Sequence, residues 1–335
     1  MKYLILHTVS FVALCALTIT SSAYSQADKG AEIQVAALPF PITSFGAARI
    51  DDKLYAYGGH MGGAHAYFNE DQSNKLLAFD LSSVEKGWQE ISIGERLQGL
   101  GMVAFQDELI ILGGFTARNK QGEKQDLHSS SQVRAYHTKK NTWRDLPSLP
   151  EPRSSHDAAI IGTSIYVAGG WNLQGDGNTN WHTTAWTIDL SQADPKWVRM
   201  PDPLFVRRAL ALIAHENQLF VVGGMDKDGG PTKAVTIYDP KTQTWSEAPD
   251  IIGEKNMAGF GAAGWSIDHR LIVSNYEGDL ITWDAEKKTW KALGKTRDAR
   301  FFHRLLPLAN GKLIAIGGAS MDSGKFKDTE VIELK

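Results

Sequence analysis

The chain has almost no cysteine, and this absence narrows the classes of protein to which it can belong. Cys15 is the only cysteine among 335 residues, and it lies in an apolar N-terminal segment. A disulfide framework and a paired-cysteine redox site are therefore excluded. The sequence also lacks an Asn-x-Ser/Thr glycosylation site, which favours a bacterial exported protein over a eukaryotic secreted one.

A strong charge of either sign is also missing. Lysine and arginine together number 35 and the acidic residues 38, so the net charge is -3, and no long run of basic residues occurs. Because no basic stripe is available to hold a phosphate backbone, we expect no nucleic-acid partner. The sequence likewise contains no nucleophile elbow, phosphate loop or zinc-hydrolase helix motif.

Residues 1–25 have the composition of a secretory signal peptide. Lys2 precedes a long apolar run, and the small residues Ala23 and Ser25 suit a cut after Ser25. A retained membrane anchor is the alternative, because the apolar stretch is just long enough to span a bilayer. No second such run follows, so we expect a periplasmic or secreted protein with no membrane contact beyond this segment.

An internal repeat dominates the rest of the chain. Five short apolar runs end in a glycine pair, and a sixth has Ser274-Asn275 at that place. The pairs end at Gly59, Gly114, Gly170, Gly224 and Gly318. Most units continue with an apolar or aromatic residue, a polar turn and a tryptophan, as from Tyr136 to Trp143. The turn residues predict a hairpin at this point, so each unit is expected to be four short antiparallel strands.

The glycine pairs, the Tyr-x6-Trp spacing and the repeat of roughly 50 residues resemble the Kelch family. The resemblance implies an all-β fold, a six-bladed Kelch β-propeller, in which sheets stack around an axis because one sheet cannot bury both faces alone. The wider superfamily includes the central domain of galactose oxidase and the sialic acid epimerases, and thus both binding scaffolds and enzymes. The fold therefore implies no particular function.

We expect residues 26–335 to form a single propeller. The predicted blades are at about 42–91, 97–146, 153–200, 207–248, 257–293 and 300–334. The sixth unit ends without its tryptophan-bearing strand, whereas residues 31–38 precede the first unit and have no unit of their own. We therefore expect this N-terminal strand to complete the last blade, which removes an exposed sheet edge.

In a four-stranded meander, the loop after each glycine pair and the loop leading into the next blade lie on one face, which we call the loop face. Long loops on a rigid scaffold are the usual place for recognition. Arg153, Arg207, Arg208 and Arg300 lie in the leading loops and are candidate ligand contacts, suited to a carboxylate, a phosphate or an acidic peptide. The alternative is that they bond backbone carbonyls, as the resemblance to Kelch repeats implies.

Four further residues are candidate ligand contacts. Trp171 and Trp181 have no counterparts in other blades and would form an aromatic plate for a sugar ring, with loop packing as the alternative. His60 shares a glycine-rich loop with His65, but two imidazoles without a third ligand do not make a metal site, so we expect no metal. Asp157 stands where other blades have glycine or alanine, and we expect it to point into the central channel.

The leading hypothesis is an exported binding module without a cofactor, which holds a peptide, a protein or a small molecule such as a carbohydrate or an anion on its loop face. The alternative is a sugar epimerase or mutarotase, as the resemblance to sialic acid epimerases implies, with Glu254, Arg207, Arg300 and His303 as acid–base and anion-binding candidates. A copper radical oxidase is disfavoured because its cofactor needs a cysteine bonded to a tyrosine. A structural part of a cell-surface assembly is the third hypothesis.

Overall fold

The structure is a computed structural model, which describes residues 34–175 and 179–334. These residues form strands joined by turns and loops, with short 3-10 helices at Asn69–Asp71, Val84–Lys86 and Asn256–Gly259. Within the described ranges, no helix has the length and apolar character needed to cross a bilayer. The predicted signal segment, residues 1–25, lies outside the described residues, as do residues 31–33 of the predicted closing strand.

Six antiparallel sheets follow one another along the chain, one for each predicted repeat. In each sheet the chain runs outward from an innermost strand, and strands that succeed one another are hydrogen-bonded neighbours. The innermost strands are Gly46–Ile50, Gly101–Phe105, Asp157–Ile161, Ala211–His215, Ala263–Ile267 and Arg304–Pro307. The second strands are Lys53–Tyr57, Glu108–Leu112, Ser164–Ala168, Gln218–Val222, Arg270–Ser274 and Leu313–Ile316.

The outer strands complete these sheets, which we number as blades one to six. The third strands are Lys75–Asp80, Val133–His137, Trp186–Asp189, Val235–Asp239, Asp279–Asp284 and Thr329–Ile332. Blades one to five have a fourth strand, at Gln89–Ile93, Thr142–Leu146, Val198–Arg199, Thr244–Ala248 and Thr289–Lys295. Blade six has three regular strands among the described residues.

The innermost strands pack side by side around a central axis, and the first of them contacts the last. Ahead of each innermost strand stands one residue with a left-handed backbone, with φ from 51 to 62°. The N–H of each such residue donates to the carbonyl of its counterpart in the preceding blade, at N–O distances from 2.7 to 3.4 Å. We call this cycle the central ring; it consists of Ser44, Gly99, Ser155, Ala209, Gly261 and Phe302. The cycle closes because blade one adjoins blade six, and the predicted all-β propeller is confirmed.

Large side chains fill the spaces between blades, because each strand presents alternate residues to the sheets on its two sides. The repeated aromatic residues pack as pairs, with ring centroids 5.0 Å apart for Tyr136 and Trp143 and 4.7 Å for Tyr238 and Trp245. Their indole N–H groups also join blades: Trp245 donates to the carbonyl of Pro201, which follows the preceding blade, at 2.8 Å. The repeat tryptophans therefore hold neighbouring blades together by packing and by a hydrogen bond.

The N-terminal segment takes the corresponding place after blade six. Trp88 of blade one donates its indole N–H to the carbonyl of Ala36 at 2.9 Å, as Trp197, Trp245 and Trp290 do to a proline carbonyl that follows the preceding blade. The Leu38 N–H donates to the carbonyl of Lys327 at 2.7 Å. Residues 34–38, the described part of the predicted closing strand, form no regular strand, but their hydrogen bonds join blade six to blade one.

Candidate functional site on the loop face

Strand register places the leading loops and the loops after the glycine pairs on one face, as predicted. Gly46 pairs with Tyr57 and Asp157 with Ala168, so the innermost strands of these blades begin beside a glycine pair. In blade five the innermost strand begins beside Ser274-Asn275. Short strand pairs brace the loops themselves. They are Phe115–Ala117 with Leu127–Ser129, Trp171–Asn172 with Asn180–Trp181, Arg207–Arg208 with Met225–Asp226, and Ala319–Ser320 with Gly324–Lys325. The central ring lies at the centre of this face.

Three of the predicted arginine contacts serve the backbone of their own blades. Arg153, Arg207 and Arg300 are at most 1% exposed. Each donates to the carbonyl of the first glycine of its pair and to a carbonyl just ahead of the third strand; for Arg207 these belong to Gly223 and Ala234, at 3.0 and 2.7 Å. Burial lowers the pKa of Arg153 and Arg207 to about 10. The structure thus supports the backbone role that was stated as the alternative to ligand contact.

The acid–base candidates are not brought together. His303 is buried, neither of its ring nitrogens has a hydrogen-bond partner, and burial lowers its pKa to about 3. Glu254 is exposed on the loop leading into blade five, where its N–H donates to the Glu277 carboxylate at 3.0 Å. Arg207 and Arg300 direct their guanidinium groups to their own blades. The epimerase alternative therefore remains a prediction from the resemblance.

Asp157 lies in the central channel and pairs with an arginine that was not predicted. Arg304 donates from Nη1 to Asp157 Oδ1 at 3.0 Å and also to the carbonyls of Phe45 and Leu100. The other Asp157 oxygen accepts the N–H of Leu212 at 3.1 Å. The pair lies at the loop-face end of a cavity of about 330 Å³ lined by the innermost strands.

The sequence does contain a signal for this ion pair. Arg304 follows Arg300 at the same spacing at which Asp157 follows Arg153, so the two residues occupy one repeat position in blades six and three. Blades three and six are opposite each other in a ring of six. Opposite charges at this position therefore indicate an ion pair across the axis. Asp157 lies in the channel and is not a contact residue of the loop face.

A connected group of aromatic and cationic side chains lies on the loop face. The guanidinium carbon of Arg208 is 4.0 Å from the ring centroid of Trp171 and 5.3 Å from that of Trp181. The two indole rings meet across a short strand pair, with centroids 5.5 Å apart. An aromatic face attracts a cation through its quadrupole. The structure therefore brings three of the predicted contact residues together.

A second cation belongs to the same group. The ammonium of Lys325 donates to His60 Nδ1 at 2.9 Å, and His60 Nε2 donates to the carbonyl of Ala66 at 2.7 Å. The ring of Tyr67 packs against His60, with centroids 5.2 Å apart. Burial raises the pKa of Tyr67, and the nearby charge of Arg208 opposes that rise. We call His60, Tyr67, Trp171, Trp181, Arg208 and Lys325 the aromatic–cation cluster.

The two cations of the cluster form no salt bridge with any residue that the structure describes. Arg208 donates to the sulfur of Met225, while its Nε and the indole Nε1 of Trp171 have no hydrogen-bond partner. Burial lowers the pKa of Lys325 to about 8, and burial together with the charge of Lys325 lowers the pKa of His60 to about 4. Near neutral pH the cluster therefore holds two positive charges and a neutral imidazole, which suits an anionic ligand.

An aromatic group that was not predicted borders the central ring on blades five and six. Tyr276 and Phe301 stack with centroids 5.3 Å apart at an interplanar angle of 16°. Phe260 contacts both Phe301 and Phe302, at centroid distances of 5.9 and 4.9 Å. Phe302 is the only bulky member of the central ring, and its positive φ is rare for an aromatic residue. The available signal was the Phe-Phe pair directly after Arg300.

Blade five is complete, although its glycine pair is replaced by Ser274-Asn275. The Asn275 Oδ1 accepts the N–H groups of Glu277 and Asp279 at 2.9 and 2.8 Å, and its Nδ2 donates to the carbonyl of Ile252 at 3.0 Å. These bonds build a tight turn in which the side chain of Asn275 organises the backbone. The loop of this blade is therefore short, and Tyr276 lies in it.

Comparison with known proteins gives the same architecture. A sequence profile of the KLHDC2/KLHL20/DRC7 Kelch-repeats domain matches residues 97–275. N-(sulfonatooxy)prop-2-enimidothioate sulfolyase of Thlaspi arvense is 31% identical over 244 residues, which cover 65% of this chain and 65% of that protein. Kelch-like protein 35 of Mus musculus is 28% identical over 214 residues, covering 62% of this chain and 31% of that protein. The chain thus spans less than two thirds of the length of either relative.

The solved structure of YjhT has the same fold, with a TM-score of 0.70 at 17% sequence identity, and the match covers 89% of this chain and 96% of that one. The profile match extends over more than half of the sequence. The closed ring of sheets, the glycine pairs beside five of the innermost strands and the paired aromatic residues agree with that match. The chain therefore belongs to the Kelch-repeat family.

Proposed function

We propose that this Kelch-repeat interaction module recognises an anionic group of its partner on the loop face, through the aromatic–cation cluster. The observation that carries the proposal is the pair of cations, Arg208 and Lys325, which lie among aromatic rings without a salt bridge to any described residue. Arg208 is already ordered by stacking on Trp171, so it loses little conformational freedom when it binds an oxyanion in bidentate fashion.

The rest of the loop face favours a protein segment as the partner that carries the anionic group. Ser44, Gly99 and Ala209 of the central ring carry small side chains, which permit a partner backbone to approach closely. The aromatic residues on blades five and six, among them Phe301, offer apolar contacts on the side where the loop is short. An acidic peptide with an apolar residue near its carboxylates matches both parts of the surface.

The name of the plant relative supports an anionic ligand on independent grounds. Its name includes a sulfonatooxy group, which carries a negative charge. A sulfate ester is accordingly the second class of probe for this chain, beside acidic peptides.

Peptide selection on the purified protein tests the proposal. A random library displayed on phage is selected on the immobilised chain, and we expect enrichment of peptides that contain aspartate or glutamate. Isothermal titration then measures the best peptide against an Arg208→Gln/Lys325→Gln variant, for which we expect an affinity loss of about tenfold or more.

The matched control is a Lys227→Gln/Lys327→Gln variant. It removes the same charge from two exposed lysines in the loops of the same face. We expect its affinity to change by less than about threefold, because exposed charges are screened by salt. An equal loss in both variants, or a selection without acidic peptides, would show that the cluster does not recognise an anion.

We also propose that the chain is exported, on the composition of residues 1–25. Mass spectrometry of the protein from the periplasm or the medium should find an N-terminus at Gln26. A protein that is found only inside the cell and begins at Met1 would contradict export.

A further inference from the structure

Lys325 stands in an unusual environment for a lysine. It ends the short hairpin formed by Ala319–Ser320 and Gly324–Lys325, and its side chain is partly buried beside the loop of blade one. Its ammonium donates to His60 Nδ1 and to the carbonyl of Gly62. Asp71 is the acidic group that acts on Lys325, and burial outweighs its effect.

His60 is fixed in the orientation and tautomer that accept this bond. It pairs through its backbone with Thr43 and Gln72, and the residue is 5% exposed. Because Nε2 donates to the carbonyl of Ala66, the proton of the neutral ring is on Nε2, and the lone pair of Nδ1 is directed at the lysine. Nδ1 of the imidazole is therefore positioned to exchange a proton with a nitrogen at the place of Lys325 Nζ.

Two other lysines have surroundings that raise the pKa of the amine, whereas the surroundings of Lys325 lower it. A carboxylate partner raises the pKa of Lys139 and of Lys295, which keeps these amines protonated. The pKa of Lys325 is lowered to about 8, so about a tenth of this amine is free at pH 7 while the rest is protonated. A free amine is a nucleophile towards carbonyl carbon, whereas an ammonium is not.

We propose that Lys325 is a reactive amine that captures an aldehyde or ketone as an imine, with His60 as the proton carrier. The ammonium loses one proton to solvent, and the Nζ lone pair forms a bond to the carbonyl carbon while the carbonyl π bond breaks. His60 Nδ1 then takes a proton from the positively charged nitrogen of this adduct and passes it to the negatively charged oxygen. A second proton, taken up from solvent, lets this oxygen leave as water while the nitrogen lone pair forms the C=N bond. The net reaction joins an ammonium and a carbonyl compound to give a protonated imine and one water, without an oxidant or reductant.

Reductive methylation tests this proposal with a neutral probe, independently of any anionic partner. The full chain is treated briefly with formaldehyde and cyanoborohydride at about pH 7.5, where the imine is trapped as a methylated amine. Chymotrypsin cleaves after Phe326 and separates Lys325 from the exposed Lys327, which is the internal control. We expect Lys325 to be labelled about tenfold faster than Lys327, because burial lowers the pKa of Lys325 and leaves part of its amine unprotonated.

Two outcomes would overturn the proposal. If Lys325 is labelled no faster than Lys327, its amine is either protonated or unreachable and captures no carbonyl compound. If a His60→Gln variant with an unchanged circular dichroism spectrum keeps the full ratio between the two lysines, the imidazole does not carry the proton. We expect this variant to reduce the ratio several-fold, while a Lys327→Arg variant leaves the labelling rate of Lys325 unchanged.

Discussion

Neighbouring arginines in one leading loop have different roles at the residue scale. Arg207 is buried and donates to Gly223, Ala234 and Thr236, so it connects the glycine pair of blade four to the start of its third strand. Arg208 stacks on Trp171 at the loop face. Side chains of adjacent residues in a short strand point in opposite directions, which explains the division.

This division predicts that substitution by glutamine lowers the stability of the fold much more at Arg207 than at Arg208. Arg207→Gln leaves several buried acceptors without their donor and should lower the free energy of unfolding by about 3 kcal/mol. Arg208→Gln removes a stacking cation at the surface and should cost less than about 1 kcal/mol. Urea unfolding of the two variants measures the difference, and equal costs would contradict the roles given to these residues.

Buried histidines make the fold sensitive to acid. His156 and His303 occupy one repeat position, both are buried, and burial lowers the pKa of each, to about 3 for His303. The folded state therefore holds the neutral ring, and its stability is fully present above the unfolded pKa of about 6.5. As pH falls below that value, protons bind the unfolded chain first, and each histidine removes about 1.4 kcal/mol per pH unit.

We therefore predict that the free energy of unfolding falls between about pH 6.5 and pH 4, and that His303→Gln reduces the slope by one proton. His269→Gln is the control because that side chain is fully exposed to solvent. Urea titrations at several pH values give the slopes. A His303→Gln variant with the slope of the original chain would show that this ring is not kept neutral by the fold.

At the scale of the element, the closing segment at residues 34–38 connects the first blade to the last. Leu38 is 2% exposed, and its N–H bonds the chain to Lys327. Leu38→Ala should lower the free energy of unfolding by about 2 to 4 kcal/mol, since it opens a cavity where the chain ends meet. Leu204→Ala, at a leucine that is 57% exposed, is the matched control and should cost under about 0.5 kcal/mol. Similar costs for both variants would mean that the segment does not close the ring.

The strands and their stacking could be predicted from the sequence because packing imposes a repeat. A glycine pair where the second strand ends, and a tryptophan at a set distance after a tyrosine, follow from a wedge-shaped space that recurs in every blade. The closing segment could be predicted for the same reason: a unit without its last strand leaves an unpaired sheet edge, and residues 31–38 precede the first unit without a unit of their own.

The candidate site could be predicted only in part, because loop residues do not repeat. Arg153, Arg207 and Arg300 occur at the same position of their repeats, which indicates that they bond the backbone of each blade. Arg208 does not occur at a repeated position. Lys325 and Tyr67 gave no pattern at all, since their meeting with His60 depends on two loops that are distant in the sequence. Residues that do not follow the repeat therefore indicated the candidate site better than residues that do.

At the scale of the whole molecule, one ion pair crosses the axis. Asp157 of blade three and Arg304 of blade six are joined at 3.0 Å, and Arg304 also donates to carbonyls of blades one and two. Removing either partner leaves the other charge poorly compensated inside the channel, and each of Asp157→Ala and Arg304→Ala should cost about 3 kcal/mol.

A double-mutant cycle separates this pair from its surroundings. We expect the double variant to cost less than the sum of the single variants by at least about 1 kcal/mol, because the second substitution removes a charge that is already unpaired. Thermal or urea unfolding of the four proteins supplies the cycle. Additive costs would mean that the two groups act independently in opposite blades.

The loop face is the functional surface of the molecule in this interpretation, and hydrogen–deuterium exchange with a selected acidic peptide tests it most directly. Bound peptide should slow exchange at 60–71, 171–175, 179–181, 207–208 and 319–328, the segments that carry the aromatic–cation cluster, and this protection should be lost in the Arg208→Gln/Lys325→Gln variant. Protection at the turns 51–52, 106–107 and 268–269 on the opposite face, with the loop face unchanged, would contradict recognition through the cluster.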